Sequence, residues 1–209
     1  MLLKKGCINF VNVSGVIVMS QIKKIDSLQN HFLIAMPVLS DSYFARSLIY
    51  IVEHSEEGGM GIVINQPSTM TFKEMMKMAD NTISLSDEMT DKIIVCGGPM
   101  HPDRGFVLHC AKSGYASSIN VNNEIMVTTS KDILADISQQ TGPEKSLIAL
   151  GYSGWDAGQL EQEIQENAWL TAEFDAELLF NTPIHQKWQA AVNKLGIDVW
   201  QLSQQAGQA

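Results

Sequence analysis

The stretch SLIALGYSGWDAGQLEQEI, residues 146–164, contains in order the patterns of a strand, a glycine-rich turn and a helix start. Residues 146–151 are mostly apolar, which predicts a buried strand. Gly151 and Gly154 predict a tight turn, because glycine adopts backbone angles that other residues avoid. Asp156 and Gln159 have the spacing of a capping box before an apolar helix face. The stretch therefore predicts strands and helices within one domain.

Six further runs on either side of this stretch are rich in β-branched and apolar residues, which predicts strands. They are residues 31–36, 47–53, 61–65, 93–95, 105–110 and 125–129. The predicted strands outnumber the helices and do not alternate regularly with them. This pattern favours an α+β fold over a doubly wound parallel sheet.

Three other segments carry the end signals of helices, namely polar N-caps and a glycine stop. The predicted helices are residues 72–79, capped by Thr71 with Glu74; 131–139, capped by Ser130; and 183–195, capped by Thr182 and ended by Gly196. Pro183 falls at the first helical position of the last one, where its missing N–H costs nothing.

The charge of the chain is acidic, with a net value of -9 over 209 residues. Arg46 and Arg104 are the only arginines, so no basic stripe is present of the kind that neutralises a phosphate backbone. Direct nucleic-acid binding is therefore not favoured. A protein partner or a small ligand is the expected interaction.

The amino end resembles an export signal only superficially. Two lysines precede an apolar stretch, but Asn9 and Asn12 interrupt it and no small-x-small cleavage site follows. We therefore interpret residues 1–18 as an N-terminal extension and residues 19–209 as a single domain. Three scattered cysteines without a pairing pattern indicate reduced thiols, and we expect a cytoplasmic protein without a membrane span.

Several motifs come close to known catalytic patterns without completing them. The run from Gly151 to Trp155 resembles a nucleophile elbow around Ser153, but Trp155 stands where that motif requires glycine. His109 and Cys110 are adjacent on a predicted strand and should point to opposite faces. No two of the five histidines have the spacing of a helical metal pair, so neither a metal nor a cofactor is predicted.

Arg104 is the most suggestive single residue, because a guanidinium group suits bidentate contact with carboxylate or phosphate. An arginine that only ties down its own loop is the alternative. One enzymatic hypothesis is a hydrolase that acts on a small anionic metabolite. Arg104 would bind the anion, His54 or Glu53 would act as the base, and Trp155 would form one side of the pocket. The absence of a complete catalytic constellation favours binding over catalysis.

Seven stretches in one order resemble the AlgH/YqgE family of bacterial proteins. They are HFLIAMP (31–37), the segment around residues 52–54, GGMGIVINQP (58–67), GGPMHPDRGFVLH (97–109), MVTTSKDIL (126–134), ALGYSGWDAGQLEQEIQENAWL (149–170) and LLFNTPIHQKW (178–188). The resemblance implies an α+β fold in which a bifurcated mixed β-sheet forms a pseudo-barrel flanked by helices. It also implies a cytoplasmic protein with a role in transcriptional regulation, linked in one member to alginate control.

No catalytic residue, ligand or cofactor comes with this resemblance. Its recurring positions supply our candidate site residues instead. The candidate ligand-binding residues are Glu53, His54, Asn65, Arg104, Trp155 and Glu161. The candidate loop-shaping residues are Gly97, Gly98, Pro99, Gly105 and Gly151.

Overall fold

The structure is a computed structural model that describes residues 27–36, 39, 43–79 and 92–196. The predicted extension of residues 1–18 lies outside these ranges. The described strands are β1 His31–Ala35, β2 Leu48–Ser55, β3 Gly58–Val63, β4 Ile94–Cys96, β5 Met100–Cys110, β6 Ser118–Asn120, β7 Ile125–Thr128, β8 Ser146–Asp156 and β9 Trp169–Glu173. The described α-helices are α1 Phe72–Ala79, α2 Asp132–Ser138, α3 Gln159–Gln165 and α4 Lys187–Lys194.

The described strands form one sheet in the order β6-β7-β5-β8-β3-β2-β1-β9. Neighbours along this path are antiparallel, and β4 joins as a parallel partner of β8, so the sheet is mixed. The long strand β8 is the branch point. Its first half pairs with β4 and β5, whereas its second half pairs with β3.

The sheet curls around a central core, which gives a half-barrel. This core collects the inward-facing residues of both sheet halves and the buried face of α4, including Trp188. Asn30 closes part of the gap between distant strands, since its Oδ1 accepts hydrogen bonds from Tyr50 Oη at 2.8 Å and from Asn122 Nδ2 at 2.7 Å. The α+β class is confirmed, whereas closure into a helix-flanked pseudo-barrel stays a prediction.

Two smaller cores lie on the outer faces of the half-barrel. We call the first the α3 face, where Trp155, Trp169 and Leu160 pack on β1, β2 and β3. We call the second the α1–α2 face, where Phe72 and Ile133 pack over Ile148. Each face is therefore an apolar sheet surface covered by short helices.

Strand β8 contributes side chains to both outer faces, and Gly151 lies where it changes from one face to the other. Before it, Leu147 points into the central core and Ile148 points to the α1–α2 face. Gly151 has a positive φ of 74° and, after it, Tyr152 packs against the central core while Trp155 points to the α3 face. A left-handed residue in a strand acts as a bulge and shifts the alternation by one position.

The helix-end predictions have mixed outcomes. Thr71 and Glu74 form the predicted reciprocal capping box, with Thr71 N donating to Glu74 Oε2 at 2.8 Å and Glu74 N to Thr71 Oγ1 at 3.2 Å. Ser130 does not cap α2, because its hydroxyl donates to Asp132 instead. Thr182 bonds back to Glu177 O and closes a π-helical turn over Glu177–Asn181, so the last α-helix begins only at Lys187.

Among the described residues, no helix combines the length and the hydropathy that crossing a bilayer would require.

Candidate functional site

The glycines around β4 and β8 form a close crossing of two backbones. A Cβ on Gly97 would lie 2.3 Å from Gly151 O, and one on Gly98 would lie 2.1 Å from the carbonyl carbon of Tyr152. A Cβ on Gly151 would lie 2.5 Å from Gly98 O. Real side chains do not fit at such distances, so these three glycines let the end of β4 pass directly over β8.

The segment that follows this crossing bulges out of the sheet. Met100 pairs with Tyr152 and Gly105 with Leu150, so His101–Arg104 stands opposite the single residue Gly151. We call these four exposed residues the HPDR bulge. Gly105, which the sequence suggested as loop-shaping, lies within β5 and has no atom within 4 Å of a Cβ position. That role is therefore not required of Gly105, whereas Pro99 does lie in the connecting turn.

A cavity of about 380 Å³ opens beside the HPDR bulge on the α1–α2 face. Its apolar lining residues are Met70, Met75, Met78, Val107, Leu134, Ile148 and Leu150. Its polar lining residues are Asp103, Arg104, Thr128, Thr129, Ser130 and Lys131; among them Asp103, Arg104 and Lys131 are exposed and form its rim. A volume of this size falls within the range that small-molecule sites usually occupy.

The charges at the rim are exposed and unpaired within the described ranges. Neither Lys131 nor Arg104 lies within ion-pair distance of a described carboxylate. The guanidinium of Arg104 lies 5.4 Å from the centroid of the Phe106 ring, and Phe106 belongs to the central core. No such ring contact is found for Lys131 among the described residues, and we assign Lys131 to the cavity.

His54 and Glu161 meet on the α3 face. His54 Nδ1 accepts a hydrogen bond from Leu28 N at 3.0 Å, so its Nε2 carries the proton in the neutral ring. Nε2 lies 3.2 Å from Glu161 Oε1, although this contact is not aligned as a hydrogen bond. Gly59 makes room for the imidazole, since a Cβ there would lie 3.2 Å from His54 Cδ2. The pair helps to seat α3 on the sheet.

Hydrogen bonding also holds Trp155 on the α3 face. Its Nε1 donates to Glu163 Oε2 at 2.9 Å, and Nε1 of Trp169 donates to the same oxygen at 2.8 Å. The two indoles meet edge to face at 6.3 Å, and Gln159 Nε2 donates to Glu163 Oε1 at 2.9 Å. The carboxylate of Glu163 therefore fastens α3 to two strands.

The remaining predicted ligand residues lie elsewhere. Asn65 braces the chain before β2, accepting from Leu48 N at 2.7 Å and donating to Arg46 O at 2.8 Å. Glu53 is exposed on β2 beside a register shift. The structure brings His54, Trp155 and Glu161 together under α3, but the cavity that Arg104 borders includes none of them. The enzymatic arrangement proposed from sequence, with Arg104, His54 and Trp155 in one pocket, is not assembled.

The residues of the incomplete catalytic motifs, Ser153 and His109, are buried within the sheet. Ser153 lies in the middle of β8, not at a strand-to-helix turn, and its Oγ is buried without a described partner. His109 is fully buried and bonds Thr128 Oγ1 at 2.8 Å and Cys110 O at 2.9 Å. Burial lowers the pKa of His109 below its usual value. Among the described residues, no group of three or more His, Cys, Asp or Glu side chains is placed to share a metal.

Three functional or structural residues were missed from sequence. Lys131 was predicted only as part of a helix, and Glu163 was not singled out. Lys187 is 1% exposed and donates to Leu178 O at 2.9 Å and to Leu179 O, and burial lowers its pKa to about 8. The doubled tryptophans at 155 and 169 around an acidic helix could have indicated the role of Glu163, because a buried indole N–H needs an acceptor.

The fold and the cavity define a class: α+β proteins with a curled, mostly antiparallel half-barrel sheet and a few helices. Residues 32–200 match the model of the AlgH-like family. The chain is 50% identical over 186 residues to a UPF0301 protein of Vibrio cholerae and 49% identical over 187 residues to one of Yersinia enterocolitica. Each alignment covers 88% of this chain and all of the relative. The chain belongs to the AlgH-like family.

Two solved structures share the fold. The solution structure of AlgH from Pseudomonas aeruginosa has a TM-score of 0.74 and 44% identity, covering 88% of this chain and 96% of that one. A Corynebacterium diphtheriae protein has a TM-score of 0.63 and 19% identity, covering 83% and 90%, which supports the fold alone. The names of these relatives state no substrate or partner.

Proposed function

We propose that the chain is a cytoplasmic regulatory protein whose cavity on the α1–α2 face binds a small amphipathic anion. In this proposal the bound ligand alters the surface that the protein offers to protein partners, and transcription is affected without direct reading of DNA. The observation that carries the proposal is a cavity of about 380 Å³ with an apolar floor and an unpaired lysine at its rim.

The apolar floor favours a ligand with a hydrocarbon or ring body. Met70, Met75 and Met78 supply three of its walls, and Met78 is 76% exposed. Methionine is unbranched and polarisable, so methionine-lined sites adapt to ligands of different shapes. An exposed apolar side chain next to a cavity gains from being covered, because the covered area is removed from water.

The rim favours a negatively charged head group. Lys131 is exposed, and its sequence neighbours Thr129 and Ser130 also line the cavity. A charge-assisted hydrogen bond from lysine to a carboxylate is stronger than a neutral one. Asp103 also lines the cavity, and its carboxylate would repel an anionic head group placed beside it.

The ligand proposal is tested by calorimetric titration of the full chain with octanoate, with 1-octanol as the neutral comparator. We expect saturable octanoate binding that weakens at least fivefold in Lys131→Gln. The matched control is Lys73→Gln, since Lys73 is an equally exposed lysine on α1 that does not line the cavity. Octanol binding should be the same in all three proteins.

Either of two results would reject the ligand proposal. One is the absence of saturable octanoate binding at millimolar concentration. The other is equal weakening by Lys131→Gln and Lys73→Gln, because that would indicate nonspecific attraction to surface charge.

The absence of direct DNA reading is tested separately by fluorescence anisotropy on a random duplex at low salt. With a net charge of -9 we expect no binding at micromolar protein. Affinity tighter than micromolar that falls steeply with added salt would show that folding gathers the few cations into a phosphate-binding patch.

A further inference from the structure

Beside the cavity, the aromatic side chains of Phe106 and Tyr152 cluster around the exposed Arg104 of the HPDR bulge. Arg104 places its guanidinium 5.4 Å from the Phe106 centroid, and the Phe106 ring meets Tyr152 edge to face at 5.6 Å. Phe106 is 3% exposed within the central core, whereas Gly105 and Val107, its neighbours in the strand, line the cavity. Adjacent strand residues point to opposite faces, so the Phe106 ring lies on the face of β5 away from the cavity, whereas Arg104 lines the cavity as well.

His101 extends the cluster outwards. Its imidazole stacks on the Tyr152 ring with centroids 5.9 Å apart and planes inclined by only 14°. His101 is exposed and has a positive φ of 47°, a conformation that costs energy for a residue with a side chain. The HPDR bulge therefore holds an exposed ring flat against Tyr152 at the expense of backbone strain.

The electrostatics of the cluster are unusual for this chain. Arg104 is one of two arginines in a protein of net charge -9 and, within the described ranges, it has no carboxylate partner at ion-pair distance. Met100, 45% exposed, lies beside Tyr152 in the sheet register. An exposed cation, a flat imidazole and an apolar wall thus occur together.

We infer that the cluster of His101, Arg104, Phe106 and Tyr152 binds a small planar aromatic group that carries a carboxylate or phosphate. The ring of the ligand stacks on the outer face of the His101 imidazole, and its anionic group pairs with Arg104. Planar bases stack favourably on aromatic side chains in known sites. A guanidinium group offers the bidentate donors that carboxylate and phosphate accept.

The chemistry of the ligand is tested by titrating the full chain with AMP, adenosine and ribose 5-phosphate while following the His101 and Tyr152 ring signals by NMR. We expect AMP to shift both rings in one saturable curve. Adenosine, which lacks the anion, and ribose 5-phosphate, which lacks the ring, should each bind at least tenfold more weakly. A 4-hydroxybenzoate titration distinguishes a carboxylate source from a phosphate source.

The residues are tested by Arg104→Gln and Tyr152→Leu, which should each weaken AMP binding at least tenfold. The matched control is Arg46→Gln, because Arg46 also lies over an aromatic ring, 5.6 Å from the Trp188 centroid, outside the cluster. Lys131→Gln should leave AMP binding within twofold of wild type, which separates this site from the cavity.

Three outcomes would overturn the inference. AMP that does not shift the His101 ring in the wild-type chain is one, and it needs no variant. Equal weakening by Arg104→Gln and Arg46→Gln is another. A ten-nucleotide single strand that binds more than tenfold tighter than AMP is the third, because it would show that the surface follows a polymer and not a small ligand.

Discussion

The two outer faces of the half-barrel are covered in different ways. On the α3 face the covering helix is tied by hydrogen bonds from Trp155 and Trp169 to Glu163, and Leu160 is 1% exposed. On the α1–α2 face the contacts are mainly apolar, methionines are prominent, and a cavity of about 380 Å³ remains. Directional polar contacts close one face, whereas mainly apolar contacts leave the other with the cavity in which we propose that a ligand binds.

The first prediction concerns Gly151, whose left-handed backbone lets β8 contribute side chains to both outer faces. Gly151→Ala should lower the free energy of unfolding by about 4 kcal/mol, because it adds strain at positive φ to a backbone overlap at 2.5 Å. Gly105→Ala is the control, since no atom lies within 4 Å of its Cβ position, and it should cost below about 1 kcal/mol. Urea unfolding measures both, and equal costs would refute the role of Gly151.

The second prediction compares one substitution on the two faces. Leu160→Ala on the α3 face should cost about 3 kcal/mol, because it leaves a void among well-packed neighbours. Leu134→Ala at the cavity should cost about 1 kcal/mol, since Leu134 is half-buried beside existing empty space. A larger cost at Leu134 than at Leu160, measured by urea unfolding, would contradict the contrast between the faces.

The third prediction concerns the polar fastening of α3. Glu163→Ala should cost about 2 kcal/mol, because two indole N–H groups lose their acceptor. Glu166→Ala on the same helix should cost below about 0.5 kcal/mol, as Glu166 is exposed and accepts only from Gln162 among the described residues. Near-ultraviolet circular dichroism of the tryptophans gives a local readout that should change only in Glu163→Ala.

The fourth prediction has the smallest effect and concerns pH at the α1–α2 face. Burial holds the pKa of His109 below its ordinary value of 6.5, so the unfolded chain binds the proton more readily than the folded one. The stability that His109 contributes is therefore present above pH 6.5 and is lost as pH falls below it. Urea unfolding at pH 7.5 and 5.0 should show a steeper loss in wild type than in His109→Gln; identical slopes would disprove the coupling.

The sequence predicted the strands with strong apolar patterns but missed two of the described ones. Residues 31–36 and 125–129 correspond closely to β1 and β7, because each is a short continuous run of mostly apolar and β-branched residues. Ser118–Asn120 is too short to show a pattern. Trp169–Glu173 mixes polar and apolar residues, and it becomes a strand through its pairing with β1.

The candidate site was less predictable than the fold, because its geometry depends on distant pairings. Gly97, Gly98 and Gly151 were expected from sequence to shape the backbone, and in the structure a Cβ at any of them would overlap backbone atoms at the crossing. The separation of Arg104 from Trp155 could not be predicted, because the bulge at Gly151 turns the second half of β8 towards another face. No sequence pattern indicated that Lys131 lines a cavity, because this position arises only when α1 and α2 pack on β5 and β8.

The central claim is that the cavity of the α1–α2 face, and not the α3 face or the central core, binds the amphipathic anion. A methyl-NMR titration of the full chain, labelled with ¹³C-methyl methionine and titrated with octanoate, tests it most directly. The account predicts that the signals of Met70, Met75 and Met78 shift along one saturable curve while Met60, packed on the central core, stays unchanged. Shifts at Met60 without shifts at the three cavity methionines would contradict it.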